Sequence, residues 1–565
     1  MRLFPQRAPA APEYLFAPHE RPTMPGSPAN PDHPGKRRAG YFAIGILIGI
    51  TGGLGNALVT VNLNFAQGTL GLDSDQSAML TAAYLMTNTT ANLLLVKYRQ
   101  QFGLQRFIRY MLPIYAAATV LHLLAHGFWS SIAVRAASGF AGSALSTLTL
   151  LYIMQAMPAA KRLAGVMLGI SIPQLATPLA RAISPSLLVS GDWHMLYWCE
   201  LGLTLATLAA VMSLPLPPSE RVPAFEKRDF LTVAFLAPGL WLLIAVLTEG
   251  RIEWWTERAW MGWGLAASVA LIATALVLEH YRDNPLINTR WLGTREMARL
   301  ILVAITVRVL LSEQAFGSVG LFNTLGLIND QMVALNLVIV AASLAGMIVA
   351  VLVFDPADPS RAILLAILLI MLGAFMDANT TNLTRPNSFM VSQALIGFAS
   401  LLFLAHAMVI GITRALLAGP KHFVSFVVLF GLSQSLGGLA GSALLGTFQI
   451  VREKFHSHEL VQTILLTDPQ VAARVRGSGA SLSGVIGDPT LDAAQGAVLL
   501  ARTVAREANI LAYNDVFLLI GVLASLTFVW QLSIRASIRR RGELSPLVEL
   551  QHRNQAAAAA AAAQA

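Results

Sequence analysis

The sequence predicts an all-α polytopic membrane protein with about fourteen membrane-spanning helices, and three observations predict it. Charged residues make up only 12% of the 565-residue chain and hydrophobic residues 55%, whereas a soluble domain carries roughly 25% charged residues. The apolar residues fall in runs long enough to cross the hydrocarbon core, which takes roughly 20 residues of helix. Lys and Arg gather at alternate ends of those runs, as orientation in a bilayer requires.

In chain order the predicted spans are 40–65, 76–96, 108–126, 129–153, 163–188, 193–215, 229–248, 260–280, 299–325, 330–354, 361–378, 387–413, 421–449 and 509–534. One set of alternate loops carries Lys97, Arg99, Arg106 and Arg109, then Lys161 and Arg162, then Arg221, Lys227 and Arg228. It continues through Arg282, Arg290 and Arg295, Arg361, Arg414 and Lys421, and the tail holds Arg535 and the triplet Arg539 to Arg541. The opposite loops hold Asp73, Asp75, Asp192 and Asp330, with Arg251, Arg258 and Arg385 as their basic exceptions. The positive-inside rule then puts both termini in the cytoplasm, in a multi-pass protein of a bacterial inner membrane. Trp254, Trp255, Trp260 and Trp263 fit an interfacial aromatic belt.

The expected organisation is a disordered Pro-rich cytoplasmic tail over 1–38, a six-helix bundle over 39–216, and two inserted central helices with a cytoplasmic linker over 217–298. A second six-helix bundle covers 299–537, including an outer loop at 450–508, and a cytoplasmic tail covers 538–565. The N-terminus lacks the charged-then-apolar pattern of a cleaved signal peptide. The low-complexity run Ala556–Ala563 is assigned no function.

Several function classes lose support. The net charge of +9 is explained by the basic loops, and no Lys/Arg stripe interleaved with aromatics points to nucleic acid. The lone Cys199 forms neither an internal disulfide nor a structural zinc site and reads as a small buried residue. There is no phosphate-cradling GxxxxGK[ST], no His pair at metal spacing and no GxSxG elbow. No enzyme activity, cofactor or metal is therefore expected.

Ionisable residues inside the spans are the informative ones, because each is expensive there. Arg135, Arg181 and Glu200 all fall about 10 Å below the outer surface at ~1.5 Å rise per residue, a depth at which they can form a paired cluster. A purely structural ion pair is the alternative. Arg308 and Glu313 share span nine, but five residues is about 140° of helical turn, so they face different ways. Glu313 is a second candidate proton site, with Gln314 beside it as a hydrogen-bonding group. Asp377 and His406 are secondary candidates. Asn56, Asn62, Thr87 and Asn88 make the first two spans polar, which suits either helix-to-helix contact or the lining of a substrate cavity. Gln314 and Gln434 extend that cavity set into the later spans. Gly139, Gly142, Gly437, Gly438 and Gly441 allow close helix approach.

Several local motifs carry a family likeness. Arg135 to Gly142 (RAASGFAG) is similar to an RxxQGxG element, with Ser138 in place of its Gln. Asn56 and Asn62 stand at D-x5-N spacing with Asn56 where the Asp would be. Val96–Gln105 is a reduced GxLaDrxGrk loop that keeps Gly103, with Gln100 at the Asp position. Pro178 lies in TPLARA, a degraded GPxxGG, and Trp193–Leu203 resembles W-R-x-x-F-x-x-N-x-P-x-G with Glu200 at the Asn position.

Over about 40–537 the chain resembles the fourteen-span drug:proton antiporters of the EmrB/QacA type, within the major facilitator superfamily. The resemblance implies two six-helix bundles plus two inserted central helices. It also implies a proton gradient as energy source, and a coupling role for Arg135. Substrate would be a small amphipathic toxic compound exported across the bilayer, with a periplasmic adaptor protein as a partner. A transporter of one specific metabolite and a non-transporting membrane enzyme or assembly partner are the alternatives.

Overall fold

The computed structural model describes residues 20, 22, 26–158, 161–189, 191–481 and 488–564. Its helices are α1 (Gly35–Thr60), α2 (Leu63–Leu70), α3 (Ser74–Phe102), α4 (Leu104–His122) and α5 (Phe128–Ala156). Next come α6 (Arg162–Ser171) and α7 (Ala176–Leu187), one rod interrupted by a 3₁₀ turn at Pro173, and α8 (His194–Ser213). The following pair is α9 (Lys227–Glu249) and α10 (Ala259–His280). After the short α11 (Thr289–Leu292), α12 (Arg295–Leu310) and α13 (Ser318–Thr324) are joined through a π-turn at Glu313–Gly317. The chain ends with α14 (Val333–Leu352), α15 (Ser360–Asp377), α16 (Met390–Ala418), α17 (Pro420–Gln462), α18 (Pro469–Ala480), α19 (Pro489–Arg541) and α20 (Pro546–Gln564). No strand occurs among the described residues, only one isolated bridge between Pro28 and Ser219.

Among the described residues, twelve helices are long and apolar enough to cross a membrane. α3 and α4 are not among them, since both are more polar, yet α3 packs lengthwise on α5 and α4 on α5 and α8. Gly103 separates α3 from α4 at φ +87°, a conformation that suits a residue without Cβ. Asp73 starts α3 with a capping box in which its backbone N–H donates to Gln76 Oε1 at 3.3 Å.

The apolar cores follow the two-bundle plan. One core, around Tyr41, Ile48, Phe107, Leu145 and Tyr152, joins α1, α3, α4 and α5. A larger one, around Val307, Ile367, Phe403 and Ile520, joins α12, α15, α16 and α19. It also takes in Val166, Met167 and Leu175 from the first half, so the halves meet along α6 and α7 against α14 and α16. The inserted pair α9–α10 lies on α3 and α17, where Leu240 and Ala275 share a core with Leu93 and Val428.

Two segments expected to be irregular are ordered in part, and the C-terminal tail is helical. In the tail expected over 1–38, the described residues 26–34 pack on the first bundle: Ala29 is buried, and His33 Nε2 lies 2.9 Å from Gln155 Oε1. Residues 35–38 open α1, and the rest of that tail, apart from residues 20 and 22, lies outside the described residues. The loop expected at 450–508 is mostly helix, because α17 and α19 run on past their apolar stretches. Asp515 binds Arg452 Nε at 2.5 Å and His456 Nε2 at 2.7 Å, and Gln449 donates to Asn509 at 2.6 Å, tying the extensions together. Residues 482–487 of that segment lie outside the described residues. At the far end, α20 returns to α16, where Arg553 donates to the Leu417 carbonyl at 2.8 Å.

The basic residues read as orientation signals also clamp the inserted pair. Lys97 Nζ sits 2.8 Å from both oxygens of Asp229, and Arg282 binds Asp229 at 2.8 Å and Glu279 at 2.6 Å. All four side chains are buried, a setting in which a lost partner leaves an uncompensated charge.

Candidate functional site

Arg135 on α5 is 1% exposed and caged rather than ion-paired. It donates to Asn56 Oδ1 at 2.6 Å, to the Gly55 carbonyl at 3.2 Å and to the Leu80 carbonyl at 3.3 Å, and its guanidinium lies 4.7 Å from the centre of the Tyr84 ring. Asn56, standing where the resemblance puts a carboxylate, thus supplies a neutral acceptor that pins α1 to α5.

The expected cluster of Arg135, Arg181 and Glu200 does not form. Glu200, 1% exposed, accepts from the Tyr115 hydroxyl at 3.0 Å and lies 3.5 Å from His122 Nδ1. Gly55 separates it from Arg135: a Cβ there would run into the Tyr115 hydroxyl and stand 2.6 Å from Glu200 Oε1. Arg181 is farther along α7 and donates to Asn329 Oδ1 at 3.4 Å. Equal depth along separate helices fixes height but not azimuth, which is why the sequence joined residues that the fold keeps apart. Tyr115 and His122 escaped the sequence reading, although both stand out as polar groups in the apolar run of α4.

In the second bundle, Glu313 opens the π-turn and is fully buried. Gln393 on α16 donates through Nε2 to Glu313 Oε1 at 2.9 Å and Oε2 at 3.1 Å, and to Asp377 Oδ2 at 2.9 Å. One amide nitrogen thus bridges the two carboxyls. Two carboxylates brought this close repel each other when both are ionised. Gln314 Nε2 in turn donates to Gln393 Oε1 at 3.2 Å. Glu313 and Arg308 point apart, as their spacing predicts, and Arg308 Nε donates to the Gln434 carbonyl at 3.0 Å. Gln393 was missed; an amide flanked by Ser392 inside an otherwise apolar span is the signal that could have found it. His406 bonds the Leu402 carbonyl one turn back in its own helix at 2.9 Å and takes no part in this network.

Between the halves lie two cavities of about 130 and 280 Å³ that share Gln174, Leu404 and Gln434 in their walls. Arg181, Arg308, Gln314 and Gln434 line the first, and Asn88 the second. The other residues expected in a cavity are engaged elsewhere: Asn56 with Arg135, Thr87 with the Ala136 carbonyl at 2.7 Å, and Asn62 with Ser184 at 2.7 Å. Beside Arg181, Asn329, between α13 and α14, ties the halves together: its amide donates to the Val61 carbonyl at 3.1 Å and to Asn62 Oδ1 at 3.2 Å. Gly437 and Gly438 do more than permit helix approach. A Cβ at either would come within 3.1 Å of Arg308, so they are the bed on which its side chain lies. No group of His, Cys, Asp and Glu suited to a metal ion occurs among the described residues.

Two halves around a shared polar cavity, each half with a buried carboxylate, is a transporter's layout, and the Major Facilitator Superfamily model matches residues 44–442. The chain belongs to the Major Facilitator Superfamily. It is a membrane transporter of that superfamily, a multi-pass protein with about twelve transmembrane helices by apolar length. No curated protein matches the sequence. Among solved structures, tetrameric PepTSo2 is 14% identical, with 89% of this chain and 99% of that chain covered at a TM-score of 0.52. A bacterial homologue of the human drug peptide transporters PepT1 and PepT2 is 13% identical, with coverage of 89% and 99% and a TM-score of 0.51. The human organic anion transporter MFSD10 (TETRAN) is 13% identical, with coverage of 87% and 100% and a TM-score of 0.51. At these identities the likeness is one of fold.

Proposed function

We propose that this superfamily member is a proton-coupled exporter of amphipathic small molecules, working by alternating access at the cavity between its halves. In this reading all fourteen long helices span a bacterial inner membrane, α3 and α4 included, and both termini are cytoplasmic. A periplasmic adaptor would meet the extended ends of α17 and α19.

The observation that carries the reading is the chain of contacts from the Glu313–Asp377 pair through Gln393 to Gln314 in the cavity wall. With both carboxyls ionised, the two buried charges repel and drive α15 and the π-turn apart. Gln393, which bridges them, is displaced as they separate, and Gln314 moves with it. Cargo in the cavity and proton on the pair thereby bias the same set of helices, which is what coupling requires. Glu200, with Tyr115, His122 and nearby Arg135, is the corresponding candidate in the first bundle.

The test is transport by the full chain in liposomes, with and without a pH gradient, for wild type, Glu313→Gln and Glu200→Gln. The expected result is gradient-driven movement of cargo in wild type and its loss in Glu313→Gln. Equal rates with and without the gradient would overturn the proton-coupled reading.

A further inference from the structure

The cavity's charge is one-sided. Arg181 enters it from the first half and Arg308 from the second, and no Asp or Glu lines this cavity or its neighbour. Arg135 shows how the fold satisfies a buried guanidinium that needs nothing further, with three acceptors and an aromatic face. Arg181 and Arg308 are treated differently. Among the described residues Arg181 has one long bond to an amide oxygen, Arg308 engages only its Nε, and neither has a carboxylate partner. A guanidinium at membrane depth without a counter-charge is costly even where it faces a cavity, and a ligand anion offsets that cost. A further donor stands ready, since Gln434 Nε2 is buried in the same wall with no partner. Leu311, Phe322 and Leu335 give the wall an apolar stretch beside neutral polar residues such as Ser318 and Asn336.

We propose that the cavity takes an amphipathic organic anion. Its carboxylate, sulfonate or phosphate group is gripped by Arg308 and Arg181 with help from Gln434, and its hydrocarbon or ring lies against Phe322 and Leu335. A guanidinium offers paired donors matched to such groups. The site is thus selective for charge sign and tolerant of the apolar part. This deepens the transport reading and rests on it only in calling the bound anion cargo.

Equilibrium binding to the purified full chain, with no proton gradient, tests the proposal using two fluorescent probes of one skeleton, 2-naphthoate and 2-naphthylmethylammonium. Wild type is expected to bind the anion at least about tenfold more tightly than the cation. Arg308→Gln and Arg181→Gln are each expected to weaken naphthoate about tenfold, the scale of one charge-assisted contact, without weakening the cation. Arg308→Lys, which keeps the charge, recovers part of the loss, and thermal unfolding confirms that each variant is folded. Equal affinity for the two charges, no saturable naphthoate binding, or naphthoate affinity unmoved in both Gln variants would overturn the proposal. Charge-selective binding without gradient-driven movement would leave the anion site standing and remove the transport mechanism; gradient-driven movement of a cation alone would do the reverse.

Discussion

Gln393 holds Glu313 and Asp377 together: its amide nitrogen is 2.9 Å from Glu313 Oε1 and 2.9 Å from Asp377 Oδ2, in a site closed to water. One neutral side chain therefore bridges two acidic ones, and in the proposed cycle it serves as the reader of their proton.

Replacing Gln393 by Leu removes that reader and leaves buried acceptors without a donor, at a cost of about 1–3 kcal/mol. Gln393→Leu is expected to unfold at lower temperature than wild type, and to bind cargo while losing the dependence of transport rate on the pH gradient. Wild-type gradient dependence in the variant would show that the Gln393–Gln314 contact is incidental.

Gly55→Ala is expected to destabilise the first bundle by about 1–3 kcal/mol, because the new methyl collides with the Tyr115 hydroxyl. Tyr115→Phe removes the obstructing oxygen, so the double variant should be more stable than the sum of the single effects predicts. Strict additivity in thermal or denaturant unfolding would place the strain elsewhere.

Asp358, between α14 and α15, accepts from Arg535 Nη2 at 2.6 Å and Arg539 Nη2 at 3.0 Å. Burial works to raise its pKa, but the hydrogen bonds from Arg535 and Ser360 and the nearby charges win and hold the carboxyl below its ordinary value. A depressed folded-state value contributes stability that is present above the unfolded-state pKa and lost as pH falls through the folded one. Asp358→Asn should therefore melt below wild type at pH 7, with the gap closing as the pH drops below the usual carboxylate range. A gap of constant size down to pH 3 would mean that packing, not charge, is responsible.

Asn329→Ala removes the bonds that tie the halves together there, two donated by its amide and one accepted from Arg181; at roughly 1 kcal/mol each, they shift the open population by at least about tenfold. With Cys199 replaced by Ser, a cysteine at Ser318 in the cavity wall should react with a polar thiol reagent about tenfold faster when Asn329 is Ala. An unchanged rate would mean that apolar packing alone keeps the halves together there.

Much of the fold is legible in the sequence, because a bilayer sets both the length and the apolarity of each helix. The spans follow from run lengths and the divergence of Arg308 from Glu313 from helical angle, whereas the two-bundle plan was implied by the family resemblance. The segment at 450–508 was misread because its hydropathy falls while its helicity persists. Helical hydrogen bonds need no lipid, and Asp515 with Arg452 and His456 replaces the hydrocarbon as fastening. The site was half legible. Buried charges announce themselves, but their partners do not: Tyr115, His122 and Gln393 sit at no characteristic spacing from Glu200 and Glu313, and only packing brings them together. Gly437 and Gly438 read as ordinary contact glycines because nothing in one helix tells which side chain of another will lie across it.

Asn329 belongs to the second half, and both side chains it binds, Asn62 and Arg181, belong to the first. Prising the halves apart there cannot spare either bond. Whatever unlocks the passage also sets a guanidinium loose, so the molecule alters the affinity of its own chamber in the same motion that opens the door.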